Sequence, residues 1–286
     1  MTRSPAPAPR RTLLVGYGKL GARLATRLLA DGGEVIALRR SGGMLPDGVV
    51  GVSADLSAPL PTPLPAVEAM VVTLPPTGDV AGYRAALKNL AAALPAKPAR
   101  TVFVSSTGVF EGTDAGAVPG HPISGHPITE SDAPALGTAR SRELYDGEQA
   151  AIELFDAIIV RPAGIYGPGR DFLLRKVREG AAVSHRRQTN RIHETDLVRA
   201  IDELLRMAEP PRLVHAVDAA SAPLGDVVGF IARTLGVDIP PDDPAAAPSG
   251  LVHDGTLLRS VLGSLEHPTY ESGYAQMIAE SAPPHP

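Results

Sequence analysis

The sequence contains no cysteine among its 286 residues. Disulfide bonds, thiolate catalysis and cysteine-ligated metals are therefore excluded. The absence of cysteine is compatible with a reducing compartment, and we expect a cytoplasmic protein. The N-terminal stretch MTRSPAPAPRR carries charge and proline but no apolar segment, so we predict no signal peptide there.

A long apolar run and a strong net charge are also missing. No stretch of about 18 apolar residues is present, so we predict no membrane span. The formal net charge of −4 gives no basic field, so we predict no nucleic-acid partner. Hydrophobic residues make up 44% of the chain, which is enough for the core of one large domain or of one domain with a smaller lobe.

Short apolar runs alternate along the chain with segments of helical periodicity. The runs predict strands at residues 12–15, 35–38, 49–52, 69–74, 101–104, 157–160 and 213–217. The periodic segments predict helices at residues 19–30, 80–94, 138–155 and 224–235. This alternation predicts an α/β fold with a doubly wound parallel sheet (Rossmann) and a smaller C-terminal substrate lobe.

The regular alternation weakens after Asp171, and this change suggests how the chain is divided. The predicted parts are a disordered tail at 1–10, a dinucleotide-binding domain at 11–170 to which 197–220 return, and a small substrate lobe made of 171–196 and 221–286.

The stretch 111–135 is rich in glycine, proline and histidine and predicts a long surface loop that covers a ligand crevice. His121 and His126 in this loop have no carboxylate at metal-ligand spacing, so we predict no metal site.

A glycine turn follows the first predicted strand and opens the first predicted helix. Gly16 permits the tight turn, Gly18 lets the backbone approach a pyrophosphate, and Gly21 lets the helix pack close to the sheet. The helix N-terminus would then face the phosphates. Because the strand, the helix and the second strand are all in place, we predict a dinucleotide site, the alternative being a glycine-rich structural turn. Its residues are Gly16, Tyr17, Gly18, Lys19, Leu20 and Gly21.

The end of the second predicted strand bears on the choice of dinucleotide. An acid that binds the ribose 2′-hydroxyl of NAD is expected about 20 residues after the glycine turn. The sequence has Arg39, Arg40 and Ser41 there instead. A guanidinium can form a charge-assisted fork to a phosphate, so NADP(H) is favoured, with NAD(H) possible. The alternative is that both arginines are solvated surface charges.

Three later motifs occur in a fixed order: VFVSSTGVF at 102–110, IVRPAGIYGPGRD at 159–171 and NRIHETDLVRAI at 190–201. Together with the glycine turn, they resemble the NAD-dependent epimerase/dehydratase family, the extended or atypical branch of the short-chain dehydrogenases/reductases. The resemblance extends over residues 12–274, and the late segment EHPTYESGYAQMI is similar to C-terminal segments of an atypical subgroup.

This resemblance implies roles for individual residues. Those implied beside the cofactor are Asp55 at the adenine, Thr73, Leu74 and Pro75 at the ribose and pyrophosphate, and Pro162, Ala163 and Gly164 at the nicotinamide. Ser105, Ser106 and Thr107 cover the catalytic serine/threonine position, where Ser106 is the best match and Ser105 also borders the cofactor. Arg191, His193 and Asp196 match a motif that closes the substrate-side lobe.

The family's chemistry rests on a Tyr-x-x-x-Lys pair, whose lysine lowers the pKa of the tyrosine. The corresponding helix, GTARSRELYDGEQAAIELF, contains this pair in no register. If Glu148 is the glutamate that typical members carry four residues after the lysine, Arg140 and Leu144 occupy the tyrosine and lysine positions. An arginine cannot be a general base, although Arg140 could orient an anionic substrate. Tyr145 could act as an acid, or it could be a surface or interface residue.

Three hypotheses follow from the retained cofactor motif and the missing pair. One is an NADP(H)-binding oxidoreductase or epimerase/dehydratase-like enzyme that acts on an unknown small molecule through an atypical site. The alternatives are a catalytically silent dinucleotide-binding sensor or partner-binding protein, and an enzyme that uses the crevice without redox chemistry. The resemblance also implies a homodimer formed by the helices at 80–94 and 138–155.

Overall fold

The computed structural model describes residues 7–40, 42–78, 82–111, 126–245 and 249–281. The strands are β1 (Arg11–Val15), β2 (Glu34–Arg39), β3 (Val49–Ser53), β4 (Ala69–Val72), β5 (Arg100–Val104), β6 (Ile158–Pro162), β7 (Gly164–Tyr166), β8 (Gln188–Thr189), β9 (Arg191–His193), β10 (Leu213–Ala216) and β11 (Ala222–Pro223). The helices are α1 (Lys19–Ala30), α2 (Gly82–Ala93), α3 (Ala139–Phe155), α4 (Phe172–Arg178), α5 (Glu194–Arg206), α6 (Leu224–Leu235), α7 (Thr256–Leu262) and α8 (Tyr270–Ser281), with a 3-10 helix at Thr107–Phe110.

A seven-stranded sheet has the order β10-β6-β5-β4-β1-β2-β3. The strands from β3 to β6 in this order pair in parallel. The central strands are buried along almost their whole length, as expected for a parallel sheet covered on both faces. The order reverses between β1 and β4, which is the topological switch point of a Rossmann fold. The predicted fold class is confirmed.

Helices α1 and α3 begin and end where local sequence signals place them. Helix α1 runs between a glycine turn and a turn at Asp31, and it buries Leu24 and Leu28 completely. Helix α3 begins with a capping box, in which Thr138 and Ser141 each bond the other's backbone N–H. It ends at Asp156, which adopts a left-handed conformation with φ of 54°.

The chain forms two compact units: Met1–Thr113, Ala133–Arg161 and Val198–Val214 make the first, and Asp114–Asp132, Pro162–Leu197 and His215–Pro286 make the second. The first unit contains most of the seven-stranded sheet. The second has its own core, which includes Val227 and Ile231 of α6 and Tyr274 and Met277 of α8. Two small sheets, β7 with β9 and β8 with β11, also belong to the second unit.

Three local expectations can be compared with the structure. Strand β4 ends at Val72, so the predicted strand at 69–74 was two residues too long. The predicted loop lies partly outside the described residues, but its later part is held, because the Ile128 N–H donates to the Val252 carbonyl at 2.8 Å. Of the predicted tail, residues 1–6 lie outside the described residues, and the Arg10 N–H donates to Glu68 at 2.7 Å. No helix within the described ranges is long and apolar enough to cross a membrane.

Candidate functional site

The glycine turn has the backbone geometry that its first glycine was expected to provide. Gly16 has a φ of +87°, and its N–H donates to the Leu38 carbonyl at 3.0 Å. A Cβ at this position would lie 3.0 Å from the Thr73 carbonyl oxygen. Both the positive φ and the close approach therefore require glycine here.

The entrance to α1 is open at Gly18, which is the N-cap residue of the helix. No side chain caps this end, and a Cβ at Gly18 would have no neighbour among the described residues within 4 Å. The positive end of the helix dipole therefore has no side-chain cap among the described residues. This arrangement fits a phosphate group.

The remaining residues of the turn contribute differently. A Cβ at Gly21 would lie 3.5 Å from the Gly16 carbonyl and from the Tyr17 ring, which is ordinary contact, so the expectation that close packing requires this glycine was wrong. Leu20 is buried in the core and offers only its backbone, whereas Lys19 is exposed. The Tyr17 hydroxyl is buried with no hydrogen-bond partner among the described residues. Burial raises its pKa, and the charge of Arg39 partly opposes that shift.

Two arginines, and no carboxylate, stand at the end of β2. The Arg39 guanidinium donates to the Gly43 carbonyl, and the Arg40 side chain is exposed. Ser41 lies outside the described residues. Asp55, beyond β3, is exposed, and its Oδ1 accepts the Ser57 N–H at 2.9 Å. The hydrogen bonds from Ser57 lower the pKa of Asp55, so this carboxylate is ionised near neutral pH.

The loop after β4 touches the glycine turn. The Thr73 hydroxyl donates to the Gly16 carbonyl at 2.5 Å, and the Leu74 carbonyl accepts the Tyr83 hydroxyl at 2.7 Å. Pro75, the next residue, is exposed. Glu143 of α3 accepts hydrogen bonds from Thr77 and Gly78 of the same loop, a contact that no sequence pattern predicts.

Ser105 belongs to a buried ionic network. Its hydroxyl donates to Glu148 at 2.6 Å, and Glu148 receives two hydrogen bonds from Arg161 at 2.9 and 2.7 Å. Arg161 also stacks over the Phe110 ring, 5.4 Å from its centroid. The Ser105 hydroxyl proton is therefore used in a buried hydrogen bond within the core.

Ser106 is placed differently from its neighbour. It is the N-cap of the 3-10 helix, and its Oγ accepts the Gly108 N–H at 3.0 Å. Because this contact uses only a lone pair, and no described residue accepts the hydroxyl proton of Ser106, that proton is available for donation. Thr107 begins the 3-10 helix and is half-buried.

If Glu148 is the family's glutamate, the position that matches the family's lysine is apolar and buried. Glu148 lies against Ser105, and Leu144, one turn earlier on α3, is only 2% exposed. A Cβ at Gly108 would lie 3.2 Å from Leu144 Cδ1, so this leucine packs under the 3-10 helix. Arg140 is exposed, 3.9 Å from Glu111, and Tyr145 is half-buried.

Pro162, Ala163 and Gly164 lie in the second unit. Pro162 ends β6, and the Ala163 and Gly164 N–H groups donate to the carbonyls of Ala216 and Asn190 at 3.1 and 3.2 Å. These backbone bonds fix the course of the segment.

The motif around His193 also lies in the second unit, at the corner between β9 and α5. Asp196 accepts the N–H groups of Glu266 and His267 at 2.8 and 2.9 Å, so it holds the segment that leads into α8. Arg191 lies over the Tyr270 ring, 5.4 Å from its centroid. The motif therefore ties the C-terminal helix to the rest of this unit.

Asp218, just after β10, is a buried acid that the sequence did not single out. It is 3% exposed, and its Oδ1 accepts the Ala220 N–H at 3.1 Å. Burial raises its pKa to about 7, against the opposing effects of that hydrogen bond and of Arg191.

The sheet order and the glycine turn define the class of the protein, a Rossmann-type α/β protein. No family model and no curated protein matches the sequence. Solved structures do match it. One, described as a candidate NAD-dependent epimerase/dehydratase from Methylobacillus flagellatus, is 28% identical, with a TM-score of 0.74 over 97% of this chain and 99% of that one.

Two further structures share the fold at lower identity. DesIV, a dTDP-glucose 4,6-dehydratase from Streptomyces venezuelae with NAD and TYD bound, is 17% identical, with a TM-score of 0.71 over 94% of this chain and 96% of that one. The enzyme WbmG from Bordetella bronchiseptica, in complex with NAD and UDP, is 16% identical, with a TM-score of 0.73 over 95% and 93%. The likeness to the Methylobacillus flagellatus structure supports the resemblance to the NAD-dependent epimerase/dehydratase family that the motifs indicated.

Proposed function

We propose that the first unit binds a nicotinamide dinucleotide, with NADP(H) preferred over NAD(H). The observation that carries this proposal is the glycine turn, where Gly16 adopts a positive φ and Gly18 opens the uncapped end of α1. The structures of DesIV and WbmG, both with NAD bound, support a cofactor of this class. When bound, such a cofactor supplies hydride transfer.

The preference for NADP(H) rests on the end of β2. Arg39 and Arg40 provide two guanidinium groups where NAD sites carry an acid, and both can donate to a ribose phosphate. Dissociation constants for NADPH and NADH, measured by fluorescence titration, test this. We expect NADPH to bind at least about tenfold more tightly, since one charge-assisted hydrogen bond is worth that much. Equal affinities that Arg39→Ala with Arg40→Ala leaves unchanged would refute the preference.

We further propose that the protein is an oxidoreductase or epimerase/dehydratase-like enzyme with an atypical site, in which Ser106 donates a hydrogen bond to a substrate oxygen. The free proton of the Ser106 hydroxyl supports this role. Turnover of NADPH with a panel of small carbonyl compounds, followed at the reduced-nicotinamide absorbance, provides the test.

The two serines give a matched pair of variants for this test. Ser106→Ala is expected to abolish turnover and, because Ser106 caps the 3-10 helix, to lower stability by about 0.5–2 kcal/mol. Ser105→Ala removes a buried hydrogen bond to a charged group and should lower stability by about 1.5–3 kcal/mol while turnover persists. Turnover that survives Ser106→Ala would exclude Ser106 from the chemistry.

A catalytically silent dinucleotide sensor is the second candidate. Its support is Leu144, which is buried where the family's lysine would stand, together with the exposed position of Arg140. Tight NADPH binding without turnover on any compound of the panel would favour this sensor role over the enzyme.

A further inference from the structure

The described part of the β4–α2 loop, residues 73–78, is held by side-chain hydrogen bonds at several points. The Thr73 hydroxyl donates to the Gly16 carbonyl of the glycine turn at 2.5 Å. The Leu74 carbonyl accepts the hydroxyl of Tyr83, which lies on α2, at 2.7 Å. Pro75 and Pro76 follow, and each fixes its own φ.

The end of the loop is held by one carboxylate, that of Glu143 on α3. Glu143 accepts the Thr77 N–H, the Thr77 hydroxyl at 2.9 Å and the Gly78 N–H at 3.1 and 3.2 Å. Its side chain is buried, with the residue 2% exposed. Hydrogen bonds to an ionised carboxylate are roughly twice as strong as neutral ones, so this is a firm anchor.

The packing of α2 against α3 brings the anchors of the loop together. A Cβ at Gly147 would lie 2.8 Å from the Tyr83 ring, so only glycine lets the two helices approach this closely here. Burial raises the pKa of Tyr83, and the negative charge of Glu143 raises it further. The loop is thus fixed by α2, by α3 and by the glycine turn.

We propose that Glu143 is a positioning residue for dinucleotide binding. It holds the β4–α2 loop in the conformation that borders the glycine turn, so α3 acts on the cofactor site through this loop and not through a Tyr/Lys pair. The inference rests on the dinucleotide site proposed above. If the loop were released, only a fraction of molecules would have the competent conformation, and the apparent affinity would fall by that fraction.

Glu143→Gln keeps the shape of the side chain and removes its charge. We expect the dissociation constant for NADPH to rise roughly tenfold, the worth of one charge-assisted hydrogen bond. The dissociation rate of NADPH, measured by stopped-flow fluorescence, should rise in proportion. Thr77→Val removes one donor to the same carboxylate and should weaken binding by roughly threefold to tenfold. In the double variant, Thr77→Val should cause almost no further rise in the dissociation constant for NADPH, because the two residues act through one contact.

Arg84→Gln is the matched control. Arg84 lies on α2 and pairs with Asp146 and Glu153 of α3 at 3.1 and 2.7 Å, so it joins the same two helices, and it forms no hydrogen bond to the described part of the β4–α2 loop. Its NADPH affinity should stay within about twofold of the parent, because pairs at the surface contribute little. An equal loss of affinity in Arg84→Gln and Glu143→Gln would show a general loosening of the helices and overturn the proposal.

Failure of the inference can be told apart from failure of the proposed function. A dissociation constant for Glu143→Gln within twofold of the parent, or fully additive effects with Thr77→Val, overturns the role of Glu143. If the parent binds no dinucleotide, the proposed function fails, and amide hydrogen exchange at Thr77 and Gly78 decides whether Glu143 holds the loop. Faster exchange in the variant supports that role, and equal exchange overturns it. If Glu143→Gln does not fold, Thr77→Val is put through the same measurements with the same criteria.

Discussion

The buried acid Asp218 should make the protein less stable as the pH rises from about 4 to about 7. It is 3% exposed, and burial is the largest cause that raises its pKa from 3.8 to about 7. The hydrogen bond from Ala220 and the charge of Arg191 oppose this rise, whereas the charges of Glu271 and Asp196 add to it. The folded protein therefore keeps this carboxyl protonated at pH values where the unfolded chain ionises it.

The sign and the size of the effect follow from proton linkage. Between the two pKa values the folded state binds more protons than the unfolded state, so its stability falls as the pH rises. The contribution of Asp218 is fully present below about pH 4 and is lost as the pH passes about 7. A shift from 3.8 to about 7 corresponds to about 4 kcal/mol, of which roughly 2.5 kcal/mol would disappear between about pH 5 and 8.

Asp218→Asn is the appropriate variant, because asparagine stays neutral and can still accept the Ala220 N–H. Urea unfolding of parent and variant at several pH values between about 5 and 8 measures the difference in unfolding free energy, and titrations common to both proteins cancel. The parent should lose roughly 2.5 kcal/mol relative to the variant across this range. A difference that does not change with pH would refute the reasoning, as would an NMR titration of the Asp218 carboxyl with a midpoint near 4.

Three further predictions concern α2, α3 and their surroundings. Glu148→Gln leaves the buried cation of Arg161 without its partner and should cost about 3–5 kcal/mol in urea unfolding, part of which Arg161→Met in the same chain should restore. Gly147→Ala puts a Cβ 2.8 Å from the Tyr83 ring and should cost about 1–3 kcal/mol, whereas Gly229→Ala on α6, which meets the end of Arg233, should be neutral or stabilising. If α2 and α3 form a dimer interface, sedimentation at micromolar concentration should show a dimer that Ile152→Glu, at a 43% exposed site, converts to monomer. A monomeric parent would contradict the dimer.

Much of the fold could be predicted because local signals and tertiary structure agree. The apolar runs that became β1, β4 and β5 are buried on both faces of the sheet, so their composition alone marks them. Helix α1 has the predicted bounds because a glycine turn precedes it and a turn at Asp31 ends it. The predicted end of β4 was too late because threonine is common in strands. In the structure the strand has ended before Thr73, whose hydroxyl donates to the glycine turn.

The site was less predictable than the fold, because its buried polar residues form hydrogen bonds with residues that are distant in the sequence. A charged residue in an amphipathic helix usually marks the solvent face, but Glu143 and Glu148 are both buried. Thr77, which donates to Glu143, lies 66 residues earlier in the chain, and no sequence pattern in either segment predicts the contact. Ser105 and Ser106 are adjacent serines that the sequence does not distinguish. In the structure, the Ser105 hydroxyl donates to buried Glu148, whereas the Ser106 hydroxyl only accepts a hydrogen bond.

Helix α3 contains no Tyr-x-x-x-Lys pair, and its Leu144 is buried. A lysine at this position would carry a charge beneath the 3-10 helix, where Leu144 now packs against Gly108. The ionic groups that α3 does bury are instead satisfied: Glu148 by Arg161 and Ser105, and Glu143 by the amides of the β4–α2 loop. Because a buried carboxylate is costly unless it is paired or hydrogen-bonded, these contacts constrain α3 and the loops it touches. Ser106 lies beside this network, and no described residue accepts its hydroxyl proton, which is why the proposed hydrogen bond to a substrate is assigned to Ser106 and not to Ser105.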